Sequence, residues 1–327
     1  MQTVEQKFNP ALAIASAVIN KTMKKENTAQ QTGEEIINSL KVLLNNGGPQ
    51  ETEYLQLDTD IQTIGGLLHS GELGENFLIE VKTLFSSLLL ENTVQGWGFR
   101  KPLGYAGDFK MIDYIYTYHH SDEPDFIKWD KYFHYNQAPK AVRNRKEYFK
   151  KIICNQINGK QIDLLNVASG PARDLKECYD LLDNKSQLMT HCVELDMRAI
   201  DFAKVLCKDY LNYIEFINKN IIRFNTTKKY DIIWSAGLFD YFNDRTFILI
   251  LKKLKCLLKP DGEILVGNFC KSNPSKAYME IFGEWFLFHR TEKELTDLAL
   301  CAGIEKEDIS VDREPLGINL FLRIKKK

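Results

Sequence analysis

Nothing in this chain comes close to the roughly 20 consecutive apolar residues that cross a bilayer as a helix. Its longer apolar runs, such as Ala11–Ala15 and Phe247–Leu251, span five residues. The N-terminus MQTVEQKFNP lacks a basic segment followed by an apolar one, so no secretion signal is expected. Charge of one sign is also missing. With 43 Lys and Arg against 44 Asp and Glu, the formal net charge is −1, so nothing in the global charge argues for nucleic acid or an anionic membrane as the partner, and neither is expected. No C-x-x-C occurs, and the seven cysteines stand singly at 154, 178, 192, 207, 256, 270 and 301. Their scatter and odd number fit isolated thiols in a reducing cytoplasm rather than a disulfide framework. There is no internal repeat and no low-complexity segment.

What is present is enough for two domains, since 327 residues exceed the usual ~150 of one. The first ~135 residues read as helical. Asn9–Lys24 and Gly33–Leu44 carry apolar residues at helical spacing, NNGGPQ (45–50) breaks the pattern, and Gly74–Leu90 resumes it. GWGFRKPLGYAGDF (96–109) then precedes a helix over Lys110–Tyr118, with Asp108 as its N-cap. HHSDEPD (119–125) reads as a solvated loop, because neighbouring histidines on a helix do not converge on one ion; no metal site is expected.

From about residue 160 strands and helices alternate. Strands are expected at Ile162–Ala168, Leu188–Leu195, Tyr213–Ile217, Tyr230–Ser235 and Glu263–Phe269, with helices at Pro171–Leu182, Arg198–Tyr210 and Asp244–Leu258 and a turn at KPDG (259–262). That alternation implies right-handed crossovers and a mostly parallel, doubly wound Rossmann-like α/β sheet. The end differs. Ile309–Arg313 and Ile318–Ile324 are joined by a turn around Pro315–Gly317, which demands an antiparallel pair. A seven-stranded sheet with a C-terminal antiparallel hairpin departs from the usual dinucleotide dehydrogenase.

Five ordered stretches carry a family resemblance: NVASGPA (166–172), HCVELDMRAIDFAK (191–204), INKNII (217–222), YDIIWSAGLFDYF (230–242) and LKPDGEILVGNF (258–269). Together with the terminal hairpin they resemble the class I S-adenosylmethionine-dependent methyltransferases. From residue ~96 onward the chain resembles a narrower bacterial group that makes the methyl ester of 3-hydroxypalmitic acid, through KPLGYAGD (101–108), AVRNR (141–145), NVASGPARDL (166–175), SAGLFDY (235–241) and WFLFHRT (285–291). The resemblance implies an N-terminal helical lid over 1–140 and an S-adenosylmethionine-binding domain over 141–327. It implies methyl transfer to a small molecule, with a fatty-acid-like carboxylate as the narrower version. Methylation of another small molecule or of a protein side chain is the alternative, and a non-catalytic cofactor-binding regulator is a further one.

The candidate residues follow from what each position must do. The first turn must admit the methionine part of the cofactor to the backbone, which needs small residues: Ala168, Ser169 and Gly170, with Gly170 the only glycine. An acid after the second strand accepts the ribose hydroxyls. Glu194 is favoured there, and Asp196 competes, with an N-cap as its other role. Asn220 stands where adenine is met. Ser235 and Ala236 end the fourth strand beside the methyl donor. Many amine-methylating enzymes have Pro-Pro-Tyr or Pro-Pro-Phe here, whereas this chain has SAGLFDYF, which weakens nucleic-acid or amide-nitrogen methylation. Asp240 and Tyr241 are the catalytic candidates: either would serve as the base for a hydroxyl or amine acceptor, while a carboxylate, already ionised at neutral pH, would need none. Arg143, with Arg145 beside it in sequence, would hold the methionine carboxylate by bidentate contact. Tyr105, Asp108, Tyr241 and Arg290 are the candidate acceptor contacts.

Overall fold

A computed structural model describes residues 10–157 and 159–325. Eight helices come first: α1 (Pro10–Asn45), α2 (Tyr54–His69), α3 (Glu75–Thr83), α4 (Ser87–Asn92), α5 (Val94–Arg100), α6 (Phe109–Thr117), α7 (Ile127–Tyr135) and α8 (Gln137–Ile157). The two helices expected before residue 45 are one, with Asn9 outside the described residues. Gly33 marks a contact rather than a helix start. A Cβ there would fall 2.6 Å from Phe77 Cε2, so glycine lets α1 and α3 approach. The break at NNGGPQ is real: Gly47 and Gly48 adopt φ of 73° and 116°. Helix α2 had no counterpart in the sequence reading. Ser86 divides the expected Gly74–Leu90 helix by capping α4 through Leu89 N at 3.2 Å.

The α/β part runs β1 (Ile162–Val167), α9 (Arg173–Leu181), β2 (Leu188–Glu194), α10 (Met197–Leu206), β3 (Ile214–Asn218), β4 (Tyr230–Ser235), α11 (Asp244–Lys255), β5 (Leu258–Phe269), α12 (Lys276–Gly283), α13 (Glu292–Cys301), β6 (Ile309–Arg313) and β7 (Asn319–Lys325). The KPDG turn does not separate helix from strand. Tyr230 pairs with Leu258 and Ile232 with Glu263, so Lys259–Gly262 bulge out of β5, with Asp261 at φ 60°.

The seven strands lie in the order β3-β2-β1-β4-β5-β7-β6, and β7 is antiparallel to both neighbours. The hairpin expected from the sequence is there. Two cores sandwich the sheet. Leu165, Ile233 and Val266 face α11 and α13 on one side, and Leu164, Ile232 and Trp234 face α8 and α9 on the other. That alternation is the period-2 rule of a strand buried on both faces. A third core joins the N-terminal helices and takes in Tyr278, Met279 and Phe282 of α12. This packing stands the helices over the carboxyl ends of β1, β4 and β5. The strand order reverses between β1 and β4, where open α/β sheets form their ligand crevice.

Candidate active site

A cavity of about 660 Å³ opens at that crevice. Its floor is the turn after β1. Ala168, Gly170 and Ala172 all take left-handed φ, at 54°, 53° and 52°. Two alanines therefore hold a conformation that costs an L-residue roughly 1–2 kcal/mol. Gly170 is the only glycine among them, yet the backbone is left-handed at all three. Around Gly170 a Cβ would meet nothing within 4 Å, so the turn faces open space.

Two buried polar atoms in this wall have no strong partner among the described residues. Asn166 Nδ2 makes no hydrogen bond there, and Ser169 Oγ has only the weakly hydrogen-bonding Cys192 thiol beside it. Both residues line the cavity. Buried polar groups are normally satisfied, so these two invite a ligand.

Glu194 closes the turn from β2. Its Oε2 accepts from Gly170 N at 2.9 Å, and its Oε1 accepts from Leu195 N at 2.7 Å and Asp196 N at 3.0 Å. Three of about four acceptor positions on the carboxylate are thus used. Asp196 is more committed. Its Oδ1 takes Arg198 N and Nε, and its Oδ2 takes Arg198 Nη2 and, at 3.0 Å, the Tyr105 hydroxyl. It is the N-cap of α10 and the anchor of the loop before α6. Asn220 lines the cavity while its Oδ1 accepts from Ile222 N at 2.8 Å, a local turn.

The roof is the 101–108 loop. Tyr105 reaches Asp196, Arg198 Nη2 donates to Leu103 O at 2.9 Å, and the Tyr241 hydroxyl donates to Ala106 O at 3.0 Å. Trp285 Nε1 donates back to that hydroxyl at 2.7 Å. Gly107 is obligatory here: a Cβ would lie 2.4 Å from Trp285 Cζ2 and 2.6 Å from the Tyr241 hydroxyl. The far wall is apolar, built by Phe109, Ile112, Phe269, Trp285 and Leu287.

Three charges stand at that end. Asp240 is buried, with Oδ1 accepting from Phe269 N at 2.6 Å. Burial pushes its carboxyl up to about 7 against the opposing pull of that N–H, Arg145 and Arg290. Asp174, at the start of α9, is raised by burial to about 6 although Arg145 is near. Among the described residues Arg145 itself makes only long contacts, 3.5 Å to the Tyr116 hydroxyl and 3.4 Å to Ala236 O. Gly237 leaves room for it, since a Cβ there would sit 2.9 Å from its Nη1.

Ala168, Ser169, Gly170, Glu194, Asp196, Asn220, Ala236, Tyr105, Asp240 and Tyr241 therefore share one cavity. Four other candidates sit outside its lining. Arg143 points away: it donates to His134 Nδ1 at 3.0 Å and His134 O at 3.1 Å and covers Tyr118. Residues two apart on a helix face about 200° apart, so it is Arg145 that reaches the cavity. Ser235 Oγ donates to Val167 O at 3.1 Å and ties β4 to β1. Asp108 caps α6 through Met111 N at 2.8 Å and accepts from Trp97 Nε1. Arg290 is buried and holds Phe239 O, Phe242 O, Asn268 Oδ1 and Asp244 Oδ1, fixing the loop that carries Asp240. Sequence reasoning missed Asn166, Asp174 and Tyr116. An acid two residues past the last left-handed alanine was the available sign of Asp174.

No family model matches the chain, and no curated protein matches it. Among solved structures, a possible exported protein from Bordetella parapertussis is similar over 91% of this chain and 96% of its own, at 16% identity and a TM-score of 0.59. That is a likeness of fold. Burkholderia thailandensis 1,6-didemethyltoxoflavin-N1-methyltransferase, bound to 1,6-didemethyltoxoflavin and S-adenosylhomocysteine, matches 56% of this chain and 78% of its own, at 16% identity and a TM-score of 0.42. Magnesium protoporphyrin IX methyltransferase from Synechocystis PCC 6803, with S-adenosylhomocysteine bound, matches 59% and 88%, at 10% identity and a TM-score of 0.45.

Proposed function

We propose that this protein is an S-adenosylmethionine-dependent methyltransferase acting on a small molecule with an apolar body. The observation that carries the reading is Asn166 Nδ2 and Ser169 Oγ, without a strong partner among the described residues, in the wall of a cavity floored by the left-handed Ala168 and Gly170. Such a cradle lets a polar ligand approach the backbone where side chains would block it. Bound there, the cofactor supplies a methyl group on a positively charged sulfur.

The chain's own residues divide the work. Ala168, Ser169 and Gly170 receive the methionine part. Glu194 is the ribose acid, because its carboxylate keeps an acceptor position that Asp196 has given to Arg198 and Tyr105. Asn220 and Ala236 border the cofactor. Arg145, rather than Arg143, is the cation for a carboxylate. Tyr105 and Tyr241 hold the roof closed, and the residues over 1–140 act as a cover on a donor-binding part over 141–327. Holding two reactants at attack geometry supplies up to roughly 7–11 kcal/mol of a barrier. The resemblance implies a fatty-acid-like carboxylate as acceptor. Asp240 favours a second reading, an acceptor that gives up a proton. The cytoplasmic setting rests on the unpaired spacing of the cysteines.

Isothermal titration with S-adenosylmethionine, S-adenosylhomocysteine and NAD tests the proposal. The first two are expected to bind and NAD is not; failure of both to bind sinks it.

A further inference from the structure

The acceptor end of the cavity has a charge balance that selects among acceptors. Asp240 is 1% exposed and held from two sides, with Phe269 N on its Oδ1 and Phe288 N donating to its main-chain carbonyl at 2.8 Å. Among the described residues no donor is paired with Oδ2, and the residue lines the cavity. Tyr241 beside it is different. Its single proton goes to Ala106 O and its oxygen accepts from Trp285. Tyr241 is therefore a wall and a latch, and Asp240 is the group free to take a proton.

The charged groups facing Asp240 are Arg145 from α8 and Arg290 from the segment after α12. Arg290 is paired with Asp244 and saturated by carbonyls. Arg145 stands between Asp240 and Asp174. A bound methyl sulfonium adds one positive charge. Two positive charges then face two carboxylates, and the site is balanced before the acceptor arrives. A carboxylate acceptor would leave an extra negative charge in a buried cavity, and an ammonium an extra positive one; either is costly without a partner.

Resting on the methyltransferase reading, we infer that the acceptor is a neutral, ring-bearing molecule whose hydroxyl passes its proton to Asp240. The rings of Phe109, Tyr116, Phe269 and Trp285 supply the flat apolar walls. In the step, the hydroxyl oxygen bonds to the methyl carbon as the bond from that carbon to sulfur breaks. The electron pair of the broken bond stays on sulfur. The hydroxyl proton ends on Asp240 Oδ2 and leaves to water when product departs. A buried carboxyl poised near neutrality suits this role.

The test uses 4-nitrophenol and 4-nitrobenzoate, titrated into full-length protein saturated with sinefungin, an S-adenosylmethionine analogue whose ammonium supplies the positive charge of the sulfonium. The phenol is expected to bind at least about tenfold tighter, the factor carried by one unit of pKa, and with the absorbance of its neutral form. Asp240→Asn keeps an acceptor for Phe269 N and is expected to erase or invert that preference, while Asp240→Glu retains it. Methyl transfer should give 4-nitroanisole with wild type and at least about a hundredfold less with Asp240→Asn, the order of a general-base contribution. If the asparagine variant does not fold, the wild-type preference itself should narrow as pH falls below about 7 and Asp240 becomes neutral. Equal or tighter binding of the benzoate, no binding of the phenol, or a preference untouched both by Asp240→Asn and by pH overturns the inference. Loss of S-adenosylhomocysteine binding by wild type instead overturns the methyltransferase reading beneath it.

Discussion

Gly107→Ala is the sharpest perturbation of the roof, and Gly104→Ala is its control. Both glycines lie in one loop with positive φ, 67° and 92°. Each alanine therefore carries backbone strain of roughly 1–2 kcal/mol, partly offset by about 0.4–1 kcal/mol from a less flexible unfolded chain. They differ in space. Around Gly104 a Cβ meets nothing within 4 Å, whereas at Gly107 it meets Trp285 at 2.4 Å and the Tyr241 hydroxyl at 2.6 Å. Neither neighbour yields freely, because Trp285 Nε1, the Tyr241 hydroxyl and Ala106 O form one hydrogen-bonded chain. Overpacking of this kind costs about 1–3 kcal/mol. Opening the loop relieves it without unfolding the sheet, so local opening should absorb the cost. The amide at position 104 donates to Lys101 O at 2.8 Å and reports the closed loop. Its hydrogen exchange should be roughly 5- to 150-fold faster in Gly107→Ala than in Gly104→Ala, the ratio that 1–3 kcal/mol implies. S-adenosylhomocysteine should bind more weakly to the first variant, since Tyr105 and Asp196 part when the loop opens. Equal exchange in the two variants would refute the account, because Trp285 and Tyr241 would then be free to move aside.

Three further outcomes are expected. Glu194→Gln should weaken S-adenosylhomocysteine by at least about tenfold, since hydrogen bonds to a charged group are worth about 1.5–3 kcal/mol; Asp196→Asn should cost less, and the reverse order in calorimetry would reassign the ribose acid. Arg290→Ala strands Phe239 O and Phe242 O in the Asp240 loop and Asn268 Oδ1 in β5 and should destabilise by about 3 kcal/mol or more, a melting shift of roughly 5 °C for a chain of this size; an unchanged melting point would remove its structural role. Asp240 sits at about 7 in the folded chain, above its ordinary 3.8, so between these pH values the folded state holds a proton that the unfolded state has lost. The stability tied to this group therefore falls as pH rises from about 4 to 7 and is level above that. Asp240→Asn should remove that slope, so its gain over wild type in urea unfolding should be larger at pH 7.5 than at pH 4.5, and a gain independent of pH would count against a raised carboxyl.

Much of the α/β half was legible because strands and helices write their periods into the chain. β4 is Tyr230–Ser235 and β6 is Ile309–Arg313, as read, and the turn at Pro315–Gly317 alone required the antiparallel β7. The Asp108 cap was legible for the same local reason: a short acceptor side chain one residue before a helix. Helix α2 and the continuity of α1 were not: Gly33 reads locally as a helix boundary, whereas its small size answers to Phe77, 44 positions away.

Within the site, small residues after β1 and acids after β2 could be placed from order and spacing. Which of them are free to bind could not. Glu194 and Asp196 are two residues apart and chemically alike, and only the donors around them separate the open carboxylate from the saturated one. Arg143 and Arg145 differ by 200° of helix, which side faces the cavity being settled by how α8 packs. Composition and period thus determined the elements and their order, since these depend on neighbours along the chain. Tertiary packing decided the chemistry of Asp240, because a carboxyl near neutrality comes from burial that outweighs the opposing pull of Phe269 N, Arg145 and Arg290, groups which the chain brings together from distant segments.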